Sequence, residues 1–484
     1  MSLGGEMAIE RKRGKRKLSM TVKPAFSLIA LIAADLFSLL VAGMLALFLK
    51  HAFDWRLEFR DYLSLLPVVF IFILAYASWG LYPGVGLAPA EELRRIVLST
   101  TLTYLVLGSA TFLFKEGGTY SRGVFTLAWF FSVVLVPLNR AILRQLFASR
   151  HWWGVPVIIL GAGETGKSIV RTLKKQPGLG LKPVAILDDD LDKHGYISNV
   201  PILGSIDEAP ALARELGIRY AIVAMPGVPR ERLLGIVESY ARAFSRIILI
   251  PDLFGFSSLW VAALDLGGLL GLEVRQNLLL PIPRALKRTI DISVSLFGGA
   301  LISPLLLLIA LLIKLDSPGP ILYGHTRIGQ GGRRFKAWKF RSMVKDADKV
   351  LEVYLEHHPE LRDEWKASQK LRVDPRVTRV GRWLRKLSLD ELPQLWNVLK
   401  GEMSLVGPRP IVREELARYG ERGVLYLKVK PGMTGFWQVS GRSDTSYAER
   451  VEMDAYYVRN WSIWLDLYIL ARTVWVVLFG HGAF

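Results

Sequence analysis

Four apolar runs, Pro24–Leu49, Tyr62–Leu81, Ile96–Phe114 and Gly123–Leu138, fill most of the first 140 residues of this chain. Each comes close to the roughly 20 residues a helix needs to cross the hydrocarbon of a bilayer, and the fourth continues into an amphipathic extension, Asn139–Phe147. The basic run Arg11-Lys12-Arg13-Gly14-Lys15-Arg16-Lys17 precedes the first, while Arg94, Arg95, Arg140, Arg144 and Arg150 follow the second and fourth. The positive-inside rule places those connections in the cytoplasm. The first run is too long for a signal-peptide core and lacks a small-residue cleavage site, so it reads as an anchor. Residues 1–23 are thus a basic cytoplasmic N-terminus and residues 24–150 four transmembrane helices.

Composition narrows the rest. The 484 residues exceed one domain, and 14 Trp, 22 Phe and 16 Tyr exclude a disordered chain. With no cysteine, a disulfide framework and a thiolate metal site are both excluded. The net charge of +19 calls for a polyanionic partner, whether nucleic acid, anionic lipid or nucleotide phosphate. Because the charge follows membrane flanks rather than a groove-entering helix, nucleic acid is not expected.

From Val155 the texture alternates between strand and helix. A strand Val155–Leu160 leads into Gly161-Ala162-Gly163-Glu164-Thr165-Gly166 and a helix over Lys167–Lys175; a second strand, Val184–Leu187, ends at Asp188. Strands at Tyr220–Ala224 and Arg246–Ile250, with a helix near Arg230–Ala243, complete a Rossmann-like domain over residues 151–282. Gly161, Gly163, Gly166 and Asp188 have dinucleotide-fingerprint spacing. The turn serves NAD or another nucleotide, or it is kept for packing alone, and the residues leave both open.

A fifth apolar run, Ile292–Ile313, is flanked by Arg284, Lys287 and Arg288 before it and Lys314, Arg327, Arg333, Arg334, Lys336, Lys339 and Arg341 after it. Two basic flanks contradict a span, and Ser303-Pro304 in the middle predicts a bend, because proline removes a backbone hydrogen bond. A re-entrant helix over 290–315 satisfies both. The closing stretch, Trp461–Phe479, carries Asp466 and Arg472 among its aromatics and reads as an interfacial amphipathic helix.

Downstream, basic residues sit in rigid loops. Pro393 is tolerated only in a first helical turn, which puts Asp390 and Glu391 at a helix start behind Arg385. Ser388 and Glu391 have capping-box spacing, so the acids either complement the helix dipole or serve as nucleophile and metal ligand for phosphate chemistry. Arg409, locked between Pro408 and Pro410, presents a pre-aimed guanidinium suited to phosphate. The loop Lys430-Pro431-Gly432-Met433-Thr434-Gly435 with Gln438, the loop Gly441-Arg442-Ser443, and Lys336–Arg341 with its alternating basic and aromatic residues extend the pattern.

Residues 284–484 resemble the bacterial sugar transferases, the polyprenyl-phosphate hexose-1-phosphate transferases. The motifs are Lys339-Phe340-Arg341-Ser342-Met343, Leu387-Ser388-Leu389-Asp390-Glu391-Leu392-Pro393, Gly407-Pro408-Arg409-Pro410 and Pro431-Gly432-Met433-Thr434-Gly435. Four membrane helices before a Rossmann-like domain resemble the large form of that family. The resemblance implies a membrane protein of α and α/β class: a four-helix transmembrane bundle, the Rossmann-like domain, and a monotopic catalytic domain (283–484) with a re-entrant helix and amphipathic interfacial helices. It also implies transfer of hexose 1-phosphate, galactose before glucose, from a UDP-hexose to undecaprenyl phosphate on the cytoplasmic face of the bacterial inner membrane. Asp390 would be the nucleophile and Glu391 its partner, both ligating Mg2+; Lys339, Arg385 and Arg409 would hold phosphate, and Arg341, Gln438 and Arg442 the nucleotide. A homodimer is also implied. The rivals are a sugar-nucleotide oxidoreductase or dehydratase on the Rossmann-like domain, and a membrane-tethered nucleotide sensor. Tyr196, Tyr220 and Tyr240 lack the lysine four residues on that short-chain dehydrogenases use.

Overall fold

The structure is a computed structural model that describes residues 24–53, 62–113, 120–190, 195–240, 243–250, 261–265, 270–274, 278, 280–362, 365, 371, 374–440 and 445–479. The basic run 11–17 and Arg442 lie outside them. The chain forms two compact units, 1–254 and 255–484.

The first unit opens with helices α1 (Pro24–Phe53), α2 (Val69–Ser78), α3 (Pro89–Leu113) and α4 (Arg122–Phe147). Of these, α1 and α4 are long and apolar enough to cross a membrane. The second expected span is shorter than its apolar run. Pro67 cannot donate a backbone hydrogen bond and confines itself to a 3-10 turn, Leu66–Val68, so the regular helix starts only at Val69. Counted with that turn, the apolar helix Leu66–Ser78 still falls short of the roughly 20 residues a span needs. α1 packs on α4, α4 on α3 and α3 on α2, around Leu39, Phe72, Tyr76, Ile96 and Val136.

A charge inside the first run organises these helices. Asp35, one helical face of α1, is 1% exposed, and its carboxylate accepts from Arg140 Nε at 2.8 Å and Nη2 at 2.5 Å. Arg140 also donates to Glu92 at 3.0 Å, Arg144 donates to the same Glu92 oxygen at 2.8 Å, and the Tyr82 hydroxyl donates to Asp35. Arg140 and Arg144, read from the sequence as a cytoplasmic flank, are therefore part of the helix packing. Removing one partner of such a buried pair typically costs about 3–5 kcal/mol, because the other charge is left without compensation.

The α/β part follows in the same unit: β1 (Val155–Leu160), α5 (Glu164–Lys175), β2 (Leu181–Leu187), β3 (Gly195–Ile197), β4 (Val200–Gly204), α6 (Ala209–Leu216), β5 (Tyr220–Val223), α7 (Arg230–Tyr240) and β6 (Arg246–Leu249). The sheet order is β3-β4-β2-β1-β5-β6, parallel except for the β3–β4 edge pair, which the sequence did not signal. β1 is buried along almost its whole length, as a strand covered on both faces must be. Loop 81–88 bridges the two parts: Arg144 holds the Gly84 carbonyl, and the Gly86 N–H donates to the Leu179 carbonyl.

The second unit includes the hairpin β7 (Val261–Asp265) and β8 (Leu270–Val274), upstream of the domain boundary expected at 282. It continues with α8 (Pro281–Asp316), β9 (Leu322–Ile328), β10 (Arg334–Phe340), α9 (Ala347–His357), α10 (Arg379–Lys386), α11 (Gln394–Lys400), β11 (Ser404–Val406), β12 (Gly432–Thr434), α12 (Tyr447–Asn460) and α13 (Ile463–Phe479). α8 is helical throughout, with Pro304 inside it and the Ser303 hydroxyl donating to the Ala300 carbonyl. It too is long and apolar enough to cross a membrane.

The body grips α8 near both ends. At the start, Arg288 donates to the Val398 and Leu399 carbonyls that end α11, Asp291 accepts from the Leu405 N–H, and Lys287 donates to Asp466 at 2.7 Å. At the finish, Ile309 and Ile313 join Phe340 and Leu384 in a core, and Asp316 accepts from the Val380 N–H. Between these anchors Phe297, Leu301 and Leu307 are 74%, 82% and 72% exposed. Asp466 of α13 points inward: Tyr457 and Trp461 donate to it as well as Lys287.

Candidate active site

Asp390 and Glu391 lie in a single 3-10 turn, Leu389–Glu391, just ahead of α11, with Pro393 as the residue preceding that helix. Ser388 does not cap. It adopts the left-handed region (φ 53°) and makes no side-chain cap, so the capping-box reading of Ser388 and Glu391 is corrected. A non-glycine residue in that region is strained, and strain of this kind persists only where the surroundings enforce it. The turn gives each carboxylate its own direction: Asp390 is buried at 9% exposure, while the Glu391 side chain remains 30% exposed.

Lys339 supplies the nearest positive charge. The β9–β10 register pairs Lys339 with Tyr323, and the buried Asn397 side chain, which accepts from the Trp338 N–H and donates to the Lys336 carbonyl, fastens β10 to α11. The Lys339 ammonium thereby donates to Glu391 Oε1 at 2.6 Å and stands 3.9 Å from Asp390 Oδ2. Arg385, at the end of α10, donates to the Ser342 hydroxyl at 2.9 Å, and its field reaches Asp390.

Two loops interlock beside the pair. β11 and β12 run parallel, the Gly407 N–H donates to the Thr434 carbonyl, and the Gly432 N–H donates to the Pro408 carbonyl. A Cβ on Gly407 would come within 2.8 Å of the Gly432 nitrogen, and a Cβ on Gly432 or Gly435 would fall on backbone of Gly407. Only glycine lets these backbones meet. The interlock buries Pro408 and leaves Arg409 exposed, its guanidinium 5.7 Å from the Trp437 ring centroid and without a hydrogen bond or ion pair among the described residues.

The two carboxylates titrate apart. Burial drives the Asp390 pKa above its ordinary value, Lys339 and Arg385 oppose this, and the Glu391 charge adds to it. At Glu391 burial acts in the same upward sense, but Lys339, Arg409 and Arg327 outweigh it and hold the pKa below the ordinary value. Neighbouring acids pushed in opposite directions are a mark of assigned chemical roles.

Arg341 is placed elsewhere. It is buried and donates to the Pro318 carbonyl and to the carbonyl and hydroxyl of Ser317, closing the turn after α8. Gln438 is half-buried, and its Oε1 has no hydrogen-bond partner among the described residues. In the other unit, Gly161 and Gly166 are explained by close packing on Ala224 and on each other, whereas open space faces Gly163. Asp188 turns back on the glycine loop, accepting from the Ala162 N–H at 2.6 Å. Residues with no site role in the sequence reading are Arg327, named only as a flanking charge, Ser342, quoted only inside a motif, Asn397, and the buried pair Tyr419 and Asp454; a polar residue in a short apolar context was the only signal for the last.

A family model described as bacterial sugar transferase matches residues 282–480, and one described as CoA-binding domain matches residues 75–251. The undecaprenyl-phosphate galactose phosphotransferase of Salmonella typhimurium is 37% identical, covering 81% of this chain and 82% of that protein. The UDP-glucose:undecaprenyl-phosphate glucose-1-phosphate transferase of Escherichia coli is 33% identical over 84% of this chain and 85% of its own length. The exopolysaccharide production protein ExoY of Rhizobium meliloti is 50% identical over 42% of this chain and 90% of its own.

Asp454 offers a test of the electrostatics behind Arg409. It accepts from the Tyr419 hydroxyl at 2.8 Å, and burial, opposed by Tyr419 and Arg409, pushes its pKa from 3.8 up to about 7. A raised folded-state value means that its contribution to stability is full below about pH 4 and is lost as pH rises through about 7. Thermal melts of wild type and Asp454→Asn, compared from pH 5 to pH 8, should show wild type losing ground to the variant as pH rises; parallel pH profiles would contradict the assignment.

Proposed function

This chain belongs to the bacterial sugar transferase family, and from that premise we propose that it is a membrane phosphoglycosyl transferase, moving hexose 1-phosphate from a UDP-hexose to undecaprenyl phosphate with release of UMP. The observation that carries the reading is the convergence of Lys339, Arg385 and Arg409 on two adjacent carboxylates whose pKa values are driven apart. Galactose is the favoured hexose, resting on identity of 37% to the galactose enzyme against 33% to the glucose enzyme. Such a transfer would be the first membrane step of polysaccharide assembly.

Ionised Asp390 attacks the sugar-linked phosphorus; the bond from that phosphorus to the bridging oxygen breaks, and UMP leaves with the electron pair. A phosphate oxygen of undecaprenyl phosphate then attacks the same phosphorus and frees the carboxylate. Lys339 and Arg385 oppose the upward push of burial on Asp390, and Arg409 meets the charge that spreads over the phosphoryl oxygens. Two hard carboxylates side by side fit Mg2+, which is typically held by one or two carboxylates with substrate phosphates and water completing its shell. When bound, the ion would neutralise diphosphate charge as an anionic nucleophile approaches. Asp390 and Glu391 are the residues that would hold it.

The four N-terminal helices anchor the chain in the bacterial inner membrane, and α8 enters the bilayer and returns. A straight helix of this length would extend about 54 Å, well beyond the hydrocarbon layer, yet one body holds both of its ends while apolar side chains between them stand exposed. That arrangement supports a re-entrant course with the active site at the cytoplasmic face, where a soluble UDP-hexose and a lipid phosphate can both reach one carboxylate. Cysteines engineered singly at Arg284 and Gly331, in a chain with none of its own, should label from the same side of sealed vesicles; labelling from opposite sides would contradict the re-entrant course.

The chemical test is UMP release from a panel of UDP-hexoses in the presence of undecaprenyl phosphate and Mg2+. UDP-galactose should be the best donor. Asp390→Asn should remove turnover by on the order of 10,000-fold or more in a folded protein, whereas loss of the Arg409 charge should cost roughly 100-fold to 1000-fold. Near-normal turnover of Asp390→Asn would refute the reading.

A further inference from the structure

Arg327 belongs to none of the motifs that mark the site, yet it faces it. The register of the hairpin pairs Arg327 with Phe335 and Tyr323 with Lys339, so alternation along the strands places Arg327 on the same face as Lys339. The end of β9 is stitched to the arginine-bearing loop: the Ile328 N–H donates to the Ile411 carbonyl at 2.9 Å, the Tyr426 hydroxyl donates to the Ile328 carbonyl, and the Ile411 N–H donates to that same hydroxyl. This brings the Arg327 guanidinium into the neighbourhood of Arg409, the first charge after burial itself to act on it.

Among the described residues, no carboxylate stands within hydrogen-bond distance of Arg327. Its side chain is only 21% exposed, and its ion-pair partner among the described residues, Glu415, stands 3.8 Å away while accepting from the Val412 N–H at 3.1 Å. Neither Arg327 nor Arg409 donates a hydrogen bond to a described residue. Two guanidinium forks have thus been gathered, one of them largely taken out of water, against their mutual repulsion. Such an arrangement is stable in proportion to the anion that completes it, and planar forks match phosphate oxygens bidentately.

Lys339 stands between the carboxylates, 2.6 Å from Glu391 and 3.9 Å from Asp390, and the charged groups that reach Arg327 are Arg409, Glu415 and Glu391, on the Glu391 side. On the reaction proposed above, the phosphorus under attack belongs beside Asp390, which leaves the second phosphate of the diphosphate on the Glu391 side. We propose that Arg327, together with Arg409, binds the phosphate of the departing nucleoside monophosphate. The assignment rests on that reaction for the identity of the ligand. It makes Arg327 a phosphate-binding residue for the leaving group, so its charge acts on donor binding and on UMP retention.

The test is inhibition by UMP, and by uridine as the phosphate-free control, of the full-length enzyme in detergent with Mg2+. Arg327→Gln should weaken UMP inhibition at least tenfold while leaving uridine inhibition and the melting temperature unchanged. Arg327→Lys, which keeps the charge and loses the fork, should fall between it and wild type. Glu415→Gln, which removes the distant ion pair and keeps a side chain able to accept from Val412, should inhibit as wild type does. UMP inhibition of Arg327→Gln within twofold of wild type overturns the assignment alone. An equal loss for uridine, or the same loss in Glu415→Gln, overturns it by showing a structural role. If Arg327→Gln does not fold, a folded Arg327→Lys with wild-type UMP inhibition overturns it instead. A wild-type chain that does not respond to UMP overturns the assignment together with the reaction it rests on.

Discussion

Lys339 carries the charge that allows two adjacent carboxylates to occupy one turn. Asp390 and Glu391 repel each other, and burial penalises both anions; a single ammonium 2.6 Å from one and 3.9 Å from the other offsets the penalty. Its position depends on features distant in sequence. Asn397 bonds the backbone on either side of Ala337, the β9–β10 register fixes which face Lys339 takes, and the strained Ser388 aims the turn back toward it. A shift of one residue in that hairpin would turn Lys339 and Arg327 away from the carboxylates together.

The same body that builds the turn holds the long apolar helix. Arg288 closes the end of α11, the helix that begins just after the acids, and Leu384 on α10 packs with Ile309 and Ile313 one residue away from Arg385. The carboxylate turn is therefore fixed in relation to the long apolar helix, as the proposed transfer from a soluble donor to a membrane acceptor would demand. Lys287, Asp466, Tyr457 and Trp461 form a buried polar cluster that ties α8 to α12 and α13, and every one of these donors finds the Asp466 carboxylate. A fully partnered cluster of this kind rigidifies its surroundings, whereas a half-partnered one would cost stability.

What could be read in advance was local. Apolar run length found the helices, strand–glycine–helix alternation found the α/β sheet, and the motif around Asp390 found the carboxylates, because each signal lies within a few neighbouring residues. What escaped notice depends on distant partners. Asp35 and Arg140 are 105 residues apart, so neither could be seen as half of an ion pair. Arg341 looked like part of a phosphate motif, but its partners, Ser317 and Pro318, come from the turn after α8. Arg327 was one basic residue among many until strand register showed which face it shares. Pro67 lies inside the second apolar run, where its missing N–H delays the regular helix to Val69, an effect that run length alone does not register.

Everything proposed about the reaction depends on whether Asp390 itself becomes bonded to the sugar phosphate. Wild-type protein incubated with UDP-galactose and Mg2+, without lipid acceptor, and examined by intact mass spectrometry tests this directly. The account predicts a gain of one hexose phosphate, mapping to Asp390, with one equivalent of UMP released and no gain in Asp390→Asn. An unmodified wild-type chain whose UMP release strictly requires undecaprenyl phosphate would contradict it and establish a single direct displacement.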